Sequence, residues 1–388
     1  MSQIDLCFEE ISHFLVQNEA FWRGHPFIQD VVGWYNSHPH WKDFFISLDV
    51  KSVDQVERIK KLPTNAPTDL KKVWKRCQEL SKLEPFSLSD LVWPERYGWG
   101  IKERKWSQIK GFACSSWSEF QDVSRVIEWC SGKGHLSRSI IRHLEAEAIG
   151  CELSSALCEA GYQWALKERV RLSFKRIDLL EQSPMLLDKD VVIGLHACGE
   201  LSDRACCAVI ERRVPLVLAP CCDHRREYPY TPLSRRGQLT GLRLLKPELM
   251  LASACESVAS ERRKQLRRRS NLYRVALDIL VRQSTGVDRY RSFPSVPRSA
   301  VALGFESFIG AIKSKVLIDF EPYDAAVLLQ QAEERCREIR ALSLLRHHFG
   351  QVIERWMFFD KCLWLQQNGF RVRAGTFVDT SITPRNSM

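Results

Sequence analysis

Val126-Ile-Glu-Trp-Cys-Ser-Gly-Lys-Gly-His-Leu-Ser137 reads as a buried strand, a glycine turn and the start of a helix. Gly132 and Gly134 let the backbone turn sharply and let a ligand come close. The amides that open the following helix offer positive partial charge. Glu128 sits near the end of the strand, and a second acidic residue, Glu152, closes the next apolar run, Ile149-Gly-Cys-Glu152. A strand, a glycine turn and a carboxylate ending the neighbouring strand build a nucleotide-shaped pocket, suited to a cofactor that carries adenosine.

The turn Ser131-Gly-Lys-Gly-His135 is neither of two better-known phosphate motifs. The dinucleotide fingerprint needs a third glycine that is missing here, and a Walker loop would close on Gly-Lys-Ser/Thr, whereas Lys133 lies inside the turn. Both absences disfavour NAD and ATP. A carboxylate at Glu152 is placed to accept both hydroxyls of a ribose. Asp178 follows the third strand, in Arg176-Ile-Asp178-Leu, and is placed to accept from an adenine amino group. Glu128 sits behind the turn, either binding the ligand's ammonium through water or holding the glycine loop. The plain alternative for all three is a capping or surface carboxylate.

Working outward, residues from about 121 alternate between strands and helices. Strands are expected at Val123–Trp129, Ala148–Cys151, Val170–Arg176, Asp190–Leu195 and Pro215–Ala219. Helices are expected at Leu136–Leu144, from Ser154, and at Leu201–Glu211. Short apolar strands spaced by helices argue for an α/β fold with a mostly parallel sheet covered on both faces. Upstream, residues 1–60 look helical, and Phe14, Phe21, Trp22, Phe27, Trp34, Tyr35, Trp41, Phe44 and Phe45 are too many aromatics to leave in water. A basic helix is expected at Asp69–Lys82. The Trp93–Gly100 stretch is broken by proline and glycine, and the Lys102–Lys110 segment after it is placed either against the mouth of the sheet domain or as a linker. Downstream, Leu272–Arg282 and Ala311–Leu317 read as strands, 321–346 as helical, and the chain from about Thr380 as loose. The expected division is a helical region over 1–90, the α/β domain over 91–320 and a helical extension over 321–388.

The net charge of +10 is uneven: residues 1–60 hold nine Asp/Glu and five Lys/Arg, a balance of −4, so the remainder carries +14. A cationic body attracts polyanions. Most of the 14 cysteines sit among aliphatic residues, and two adjacent pairs occur, Cys206-Cys207 and Cys221-Cys222. This is not an extracellular disulfide framework, and a reducing cytoplasm is the natural reading. No positively charged leader opens the sequence, and no apolar stretch approaches the ~18 residues of a membrane span. Oligomeric state is not legible.

The segment Glu128–Ser137 resembles the first motif of class I S-adenosylmethionine-dependent methyltransferases. Val192-Ile-Gly-Leu-His-Ala-Cys-Gly-Glu-Leu-Ser202 and Pro220-Cys-Cys-Asp-His224 narrow the match. The three together, within residues 95–285, resemble a group that includes the eukaryotic acceptor-stem tRNA 2′-O-methyltransferases and their poorly characterised relatives. The resemblance implies a Rossmann-like fold and S-adenosyl-L-methionine as cofactor. Glu128, Ser131, Gly132, Lys133 and Gly134 would hold its methionine part, Glu152 its ribose, and Asp178 would face the adenine. Ser131 stands where the wider superfamily commonly has glycine.

The fourth and fifth strands run out at one rim, which gathers His196, Cys198, Glu200, Cys221, Cys222, Asp223 and His224. Methyl transfer needs alignment and exclusion of water more than covalent help. If the acceptor is a hydroxyl, His196 or His224 is the base, with Asp223 orienting a histidine. His196 is preferred because it directly follows the strand. Cys198, Cys221, Cys222 and His224 are ligand types suited to zinc, but adjacent Cys221 and Cys222 lack the usual two-residue gap, so no metal ligand set is assigned. A cysteine nucleophile, or cysteines that merely fill the core, are further alternatives. No Asn/Asp-Pro-Pro-Tyr signature favours an exocyclic base amine.

Glu261-Arg-Arg-Lys-Gln-Leu-Arg-Arg-Arg-Ser270 holds six basic residues and one acid, and Arg274 follows. Arg225, Arg226, Arg235, Arg236, Arg243 and Lys246 add to it. Arginine clusters fit phosphate geometry, so an RNA substrate (tRNA or rRNA) is expected through 262–274. A protein or small-molecule substrate, or a noncatalytic binding protein that keeps the fold, are the competing readings.

Overall fold

The computed structural model describes residues 2–29, 31–253 and 261–388. Strands β1 (Arg125–Trp129), β2 (Glu147–Glu152), β3 (Leu172–Arg176), β4 (Asp190–Cys198) and β5 (Leu216–Cys221) form one sheet in the order β3-β2-β1-β4-β5. Every pairing is parallel. Helices His135–Ile140, Ser155–Glu168 and Glu200–Arg212 follow β1, β2 and β4. The Ser154 hydroxyl caps the second of these by accepting from the Leu157 amide.

Side chains alternate across the sheet. Val126, Val191, Ile193, Leu195 and Val217 pack on one face with Ile109, Phe112, Leu136 and Ile140. Ile127, Trp129 and Val192 pack on the other with Ala205 and Val209. Burial on both faces explains why these strands read as continuous apolar runs. Each such side chain, fully buried, stabilises by about 1.5–3 kcal/mol. Strand order reverses between β1 and β4, and the carboxyl ends beside that reversal are where a sheet of this kind receives a ligand.

The chain divides into two compact units: Met1–Gln17, Gln78–Cys255 and Gly350–Met388 form the first, and Asn18–Cys77 and Glu256–Phe349 the second. The sheet belongs to the first unit. There, Phe8 stacks on Trp356, and fully buried Asp360 accepts from the Tyr230 hydroxyl, the Leu233 and Ser234 amides and the Ser234 hydroxyl. The second unit buries Phe21, Trp22, Trp34, Tyr35, Trp41, Phe44 and Phe45, as expected of an aromatic core.

Three expectations fail. Leu272–Arg282 is not a strand but lies in the helix Glu261–Thr285. Its buried Tyr273, Ala276, Leu277, Leu280 and Val281 recur at helical spacing, while Val275, Ile279 and Val281 imitate a strand by being β-branched. Ala311–Leu317 instead overlaps the end of the helix Phe305–Lys313, which buries Phe308, Ile309 and Ile312. The chain beyond Thr380 is not loose: Gly375 and Met388 exchange backbone hydrogen bonds, and Thr383, Asn386, Ser387 and Met388 are buried. The helix expected over 321–346 runs on, as Ala325–Gln367.

Candidate active site

The turn after β1 is built from left-handed residues: Cys130, Gly132 and Gly134 have φ of 55°, 58° and 64°. Its two glycines differ in what surrounds them. A Cβ on Gly134 would stand 2.7 Å from Leu172 Cδ2 and 2.8 Å from Phe174 Cζ, so this glycine lets the turn close on β3. A Cβ on Gly132 would meet nothing within 4 Å, so its backbone is open to close approach. The buried Ser131 hydroxyl has no hydrogen-bond partner among the described residues. An orphaned hydroxyl beside an open glycine is what a polar ligand would satisfy. Lys133 is exposed.

Glu152, half-buried at the tip of β2, accepts from the Gly132 amide (2.9 Å) through Oε2 and from the Ser154 amide (3.0 Å) through Oε1. Each oxygen keeps a lone pair for a hydroxyl donor. Asp178 lies just past β3, where its Oδ1 accepts from the Leu180 amide at 3.0 Å. Glu128 is buried on β1, and its Oε2 accepts from both the amide (3.0 Å) and the hydroxyl (2.5 Å) of Ser137. It therefore ties strand to helix behind the turn. Burial pushes its carboxyl up to about 7, against the pull of Ser137 and Lys105.

Lys105 and Gln108 reach this site from the helix Glu103–Ser116. Burial lowers the Lys105 pKa, and the Glu128 carboxylate opposes the shift. Gln108 is buried, and its Oε1 lies 2.6 Å from His196 Nε2. Neither residue was assigned a role from sequence. The only hint was the placement of this polar segment against the mouth of the sheet domain.

His196 stands at a bulge in β4, with φ of 72°, where the register with β5 shifts between Leu195 and Ala197. A non-glycine residue held there is strained, and such strain concentrates at functional sites. With the Gln108 amide oxygen at Nε2, that nitrogen carries the hydrogen and Nδ1 the lone pair. Burial, then the Lys105 charge, push the imidazole down to about 4, so it is neutral at pH 7.

The structure directs Asp223 elsewhere. Its Oδ1 accepts from Arg226 (2.8 Å) and Lys361 (3.4 Å), and Asp203 completes a buried four-charge network. No histidine is among the hydrogen-bond partners of Asp223 among the described residues. Arg226, counted from sequence toward a basic surface, is buried in the same network. His224 is half-buried, with its Nδ1 unpartnered among the described residues. The thiols of Cys198 and Cys221 meet at 3.2 Å at the same rim. No disulfide is formed by the cysteines of this rim.

Residues 104–227 match the family model described as a methyltransferase domain. Among solved structures, the chain is similar to coclaurine N-methyltransferase bound to N-methylheliamine and S-adenosylhomocysteine. That match has 12% identity and a TM-score of 0.23, and it covers 52% of this chain and 50% of that one. It is also similar to the plantazolicin methyltransferase in complex with S-adenosylhomocysteine, at 12% identity and a TM-score of 0.23, covering 47% and 57% of the two chains. The chain thus spans about half the length of these two structures. Residues 104–227, which match the methyltransferase-domain model, hold the five-stranded parallel sheet in the strand order of a Rossmann-like class I fold.

Proposed function

We propose that this chain is an S-adenosylmethionine-dependent methyltransferase that modifies RNA. The observation that carries the reading is the joining of Glu152 to the Gly132 amide, which puts a carboxylate with spare lone pairs beside an open glycine turn. In this reading Glu152 holds the ribose diol and Asp178 receives the adenine amino group. Ser131 and Gly132, backed by Glu128 and Lys105, hold the methionine end. The cofactor supplies an electrophilic sulfonium methyl group.

His196 orients and deprotonates a hydroxyl acceptor through Nδ1. An imidazole of pKa about 4 is a weak base toward a neutral hydroxyl. It would suffice for an acceptor oxygen that has already received the methyl group, because such an oxygen is strongly acidic. The proton then passes from that oxygen to Nδ1. Gln108 holds the ring in the required tautomer.

The RNA acceptor is supported by the net charge of +10 and by the helix Glu261–Thr285. Two of its arginines are committed locally, Arg268 to Asp54 and Arg269 to the Ala302 carbonyl. Arg262 and Arg263 are exposed. The test is incubation of the full chain with methyl-labelled cofactor and separate RNA, protein and small-molecule fractions from cells. Label in RNA, reduced when Arg262 and Arg263 are both changed to Ala, is expected. Label confined to protein or small molecules overturns the acceptor, and binding without any transfer overturns the enzyme.

A further inference from the structure

We propose that Cys198, Cys221 and Cys222 form a three-thiolate site for one thiophilic divalent ion, and that zinc is the ion it takes. Two departures from regular strand geometry bring these thiols together. Adjacent residues on an extended chain point to opposite faces, so Cys221 and Cys222 would ordinarily diverge. Cys222, however, is left-handed, with φ of 53° and ψ of 45°, and folds its side chain back toward Cys221. On the neighbouring strand, the bulge at His196 resets the register so that Cys198 pairs directly with Cys221. Partners directly opposite on parallel strands share a face. All three sulfurs lie within 4.8 Å of one another, and the Cys198–Cys221 pair is at 3.2 Å.

These spacings suit a tetrahedral ion. Zinc–sulfur bonds of about 2.3 Å require sulfurs about 3.8 Å apart. The Cys198–Cys221 separation is shorter than that value and no pair exceeds 4.8 Å, within reach of small χ1 changes. Thiols are weak hydrogen-bond partners, and here the Cys198 thiol meets the His196 carbonyl at 3.5 Å and the Cys221 sulfur at 3.2 Å. Cys221 is buried while Cys198 and Cys222 are half-buried, so the cluster is screened yet open to an entering ion. Three thiolates and a fourth position left to water or to a neighbouring side chain match the ligand count of an open zinc site. Binding converts three thiols to thiolates and releases their protons to the buffer.

The test uses the full chain, purified under reducing, oxygen-free conditions and loaded with Zn(II), with Cd(II) as a spectroscopic replacement. One zinc per chain, proton release on binding and a thiolate-to-cadmium charge-transfer band are expected. Cys198→Ser and Cys222→Ser should each lower zinc affinity at least tenfold, while Cys207→Ser leaves it unchanged. Cys222, which lies past the end of β5 whereas Cys198 is paired within β4, is the variant that keeps the fold if Cys198→Ser does not. Substoichiometric zinc in the wild type, full retention in Cys222→Ser, or a Cys198–Cys221 disulfide in place of the metal overturns the proposal. Binding of S-adenosylhomocysteine, measured on the same samples, keeps this outcome separate from the proposed function. Its loss with zinc retained counts against the cofactor site alone.

Discussion

The Oε2 of Glu152 accepts the amide of Gly132 at 2.9 Å, which fixes the glycine turn after β1 to the tip of β2. One carboxylate thus shapes the turn and faces the opening beside it. Changing either partner should disturb ligand binding more than it disturbs the sheet.

The two turn glycines separate those effects. At Gly134, alanine would drive its Cβ to 2.7 Å from Leu172 Cδ2 while also adopting a φ of 64°. Gly134→Ala should cost about 1–3 kcal/mol of stability from strain and overpacking. Gly132→Ala has space for its methyl and carries only the left-handed penalty of about 1 kcal/mol. It should instead weaken S-adenosylhomocysteine binding, because the methyl fills the approach. Denaturant unfolding and calorimetry on both variants check the contrast.

Glu128 should give the protein a measurable pH dependence. Burial raises its folded-state pKa to about 7, from 4.5 in the unfolded chain. Between those values the folded state binds more protons than the unfolded one, so the group's contribution is fully present below about pH 4.5 and is lost as pH rises through about 7. The loss is up to about 3 kcal/mol. Glu128→Gln keeps the shape and removes the titration. The stability of the wild type relative to this variant should therefore fall from pH 5 to pH 7.5, as read by unfolding at each pH. A constant difference would place the carboxyl in a solvated setting.

His196→Ala should lower kcat by less than the about 10²–10⁴-fold of a base acting in the transition state, because the imidazole orients the acceptor and takes its proton only after the C–O bond has formed. S-adenosylhomocysteine affinity should be unchanged. Because burial and Lys105 hold the ring at a pKa of about 4, wild-type kcat should be flat through neutrality and fall only below about pH 5. Gln108→Leu removes the tautomer lock and should lower kcat less. An alkaline rise in rate that disappears with His196 would contradict the shifted pKa.

Asp360 carries a structural prediction in the first unit. Its carboxylate is fully buried and serves four donors from Tyr230, Leu233 and Ser234. Asp360→Ala leaves them all without an acceptor and should cost about 3–5 kcal/mol. Asp360→Asn, which keeps the acceptor oxygen, should recover part of it in the same unfolding measurement.

The sheet was legible because β1 and β4 are short apolar runs buried on both faces, while β3, Leu172-Ser-Phe-Lys-Arg176, shows itself by alternation. The turn residues were legible because a strand, glycines and a helix start occur in uninterrupted order. What escaped was set by distance or by ambiguous chemistry. Gln108 is an ordinary polar residue until the fold brings its Oε1 to His196. Asp223 looked like a partner for histidine, but Lys361 and Arg226 claim it, and Lys361 is 138 residues away in sequence. The segment from Leu272 was misread because its valines and isoleucine mimic a strand while its buried positions follow a helical period. Cys221 and Cys222 lack the two-residue gap usual between zinc-binding cysteines, and the left-handed backbone of Cys222, which lets adjacent thiols share a face, is not written in any sequence pattern.

The central claim is that the crevice at the tips of β1 and β2 holds the nucleoside of S-adenosylmethionine through Glu152. The direct measurement is calorimetric binding of S-adenosylhomocysteine to the wild type and to Glu152→Ala. The account predicts one site per chain in the wild type and an affinity lowered about tenfold to a hundredfold in the variant, since a hydrogen bond to a charged group contributes about 1.5–3 kcal/mol. Equal affinity in a folded Glu152→Ala variant, or no binding to the wild type, would contradict it.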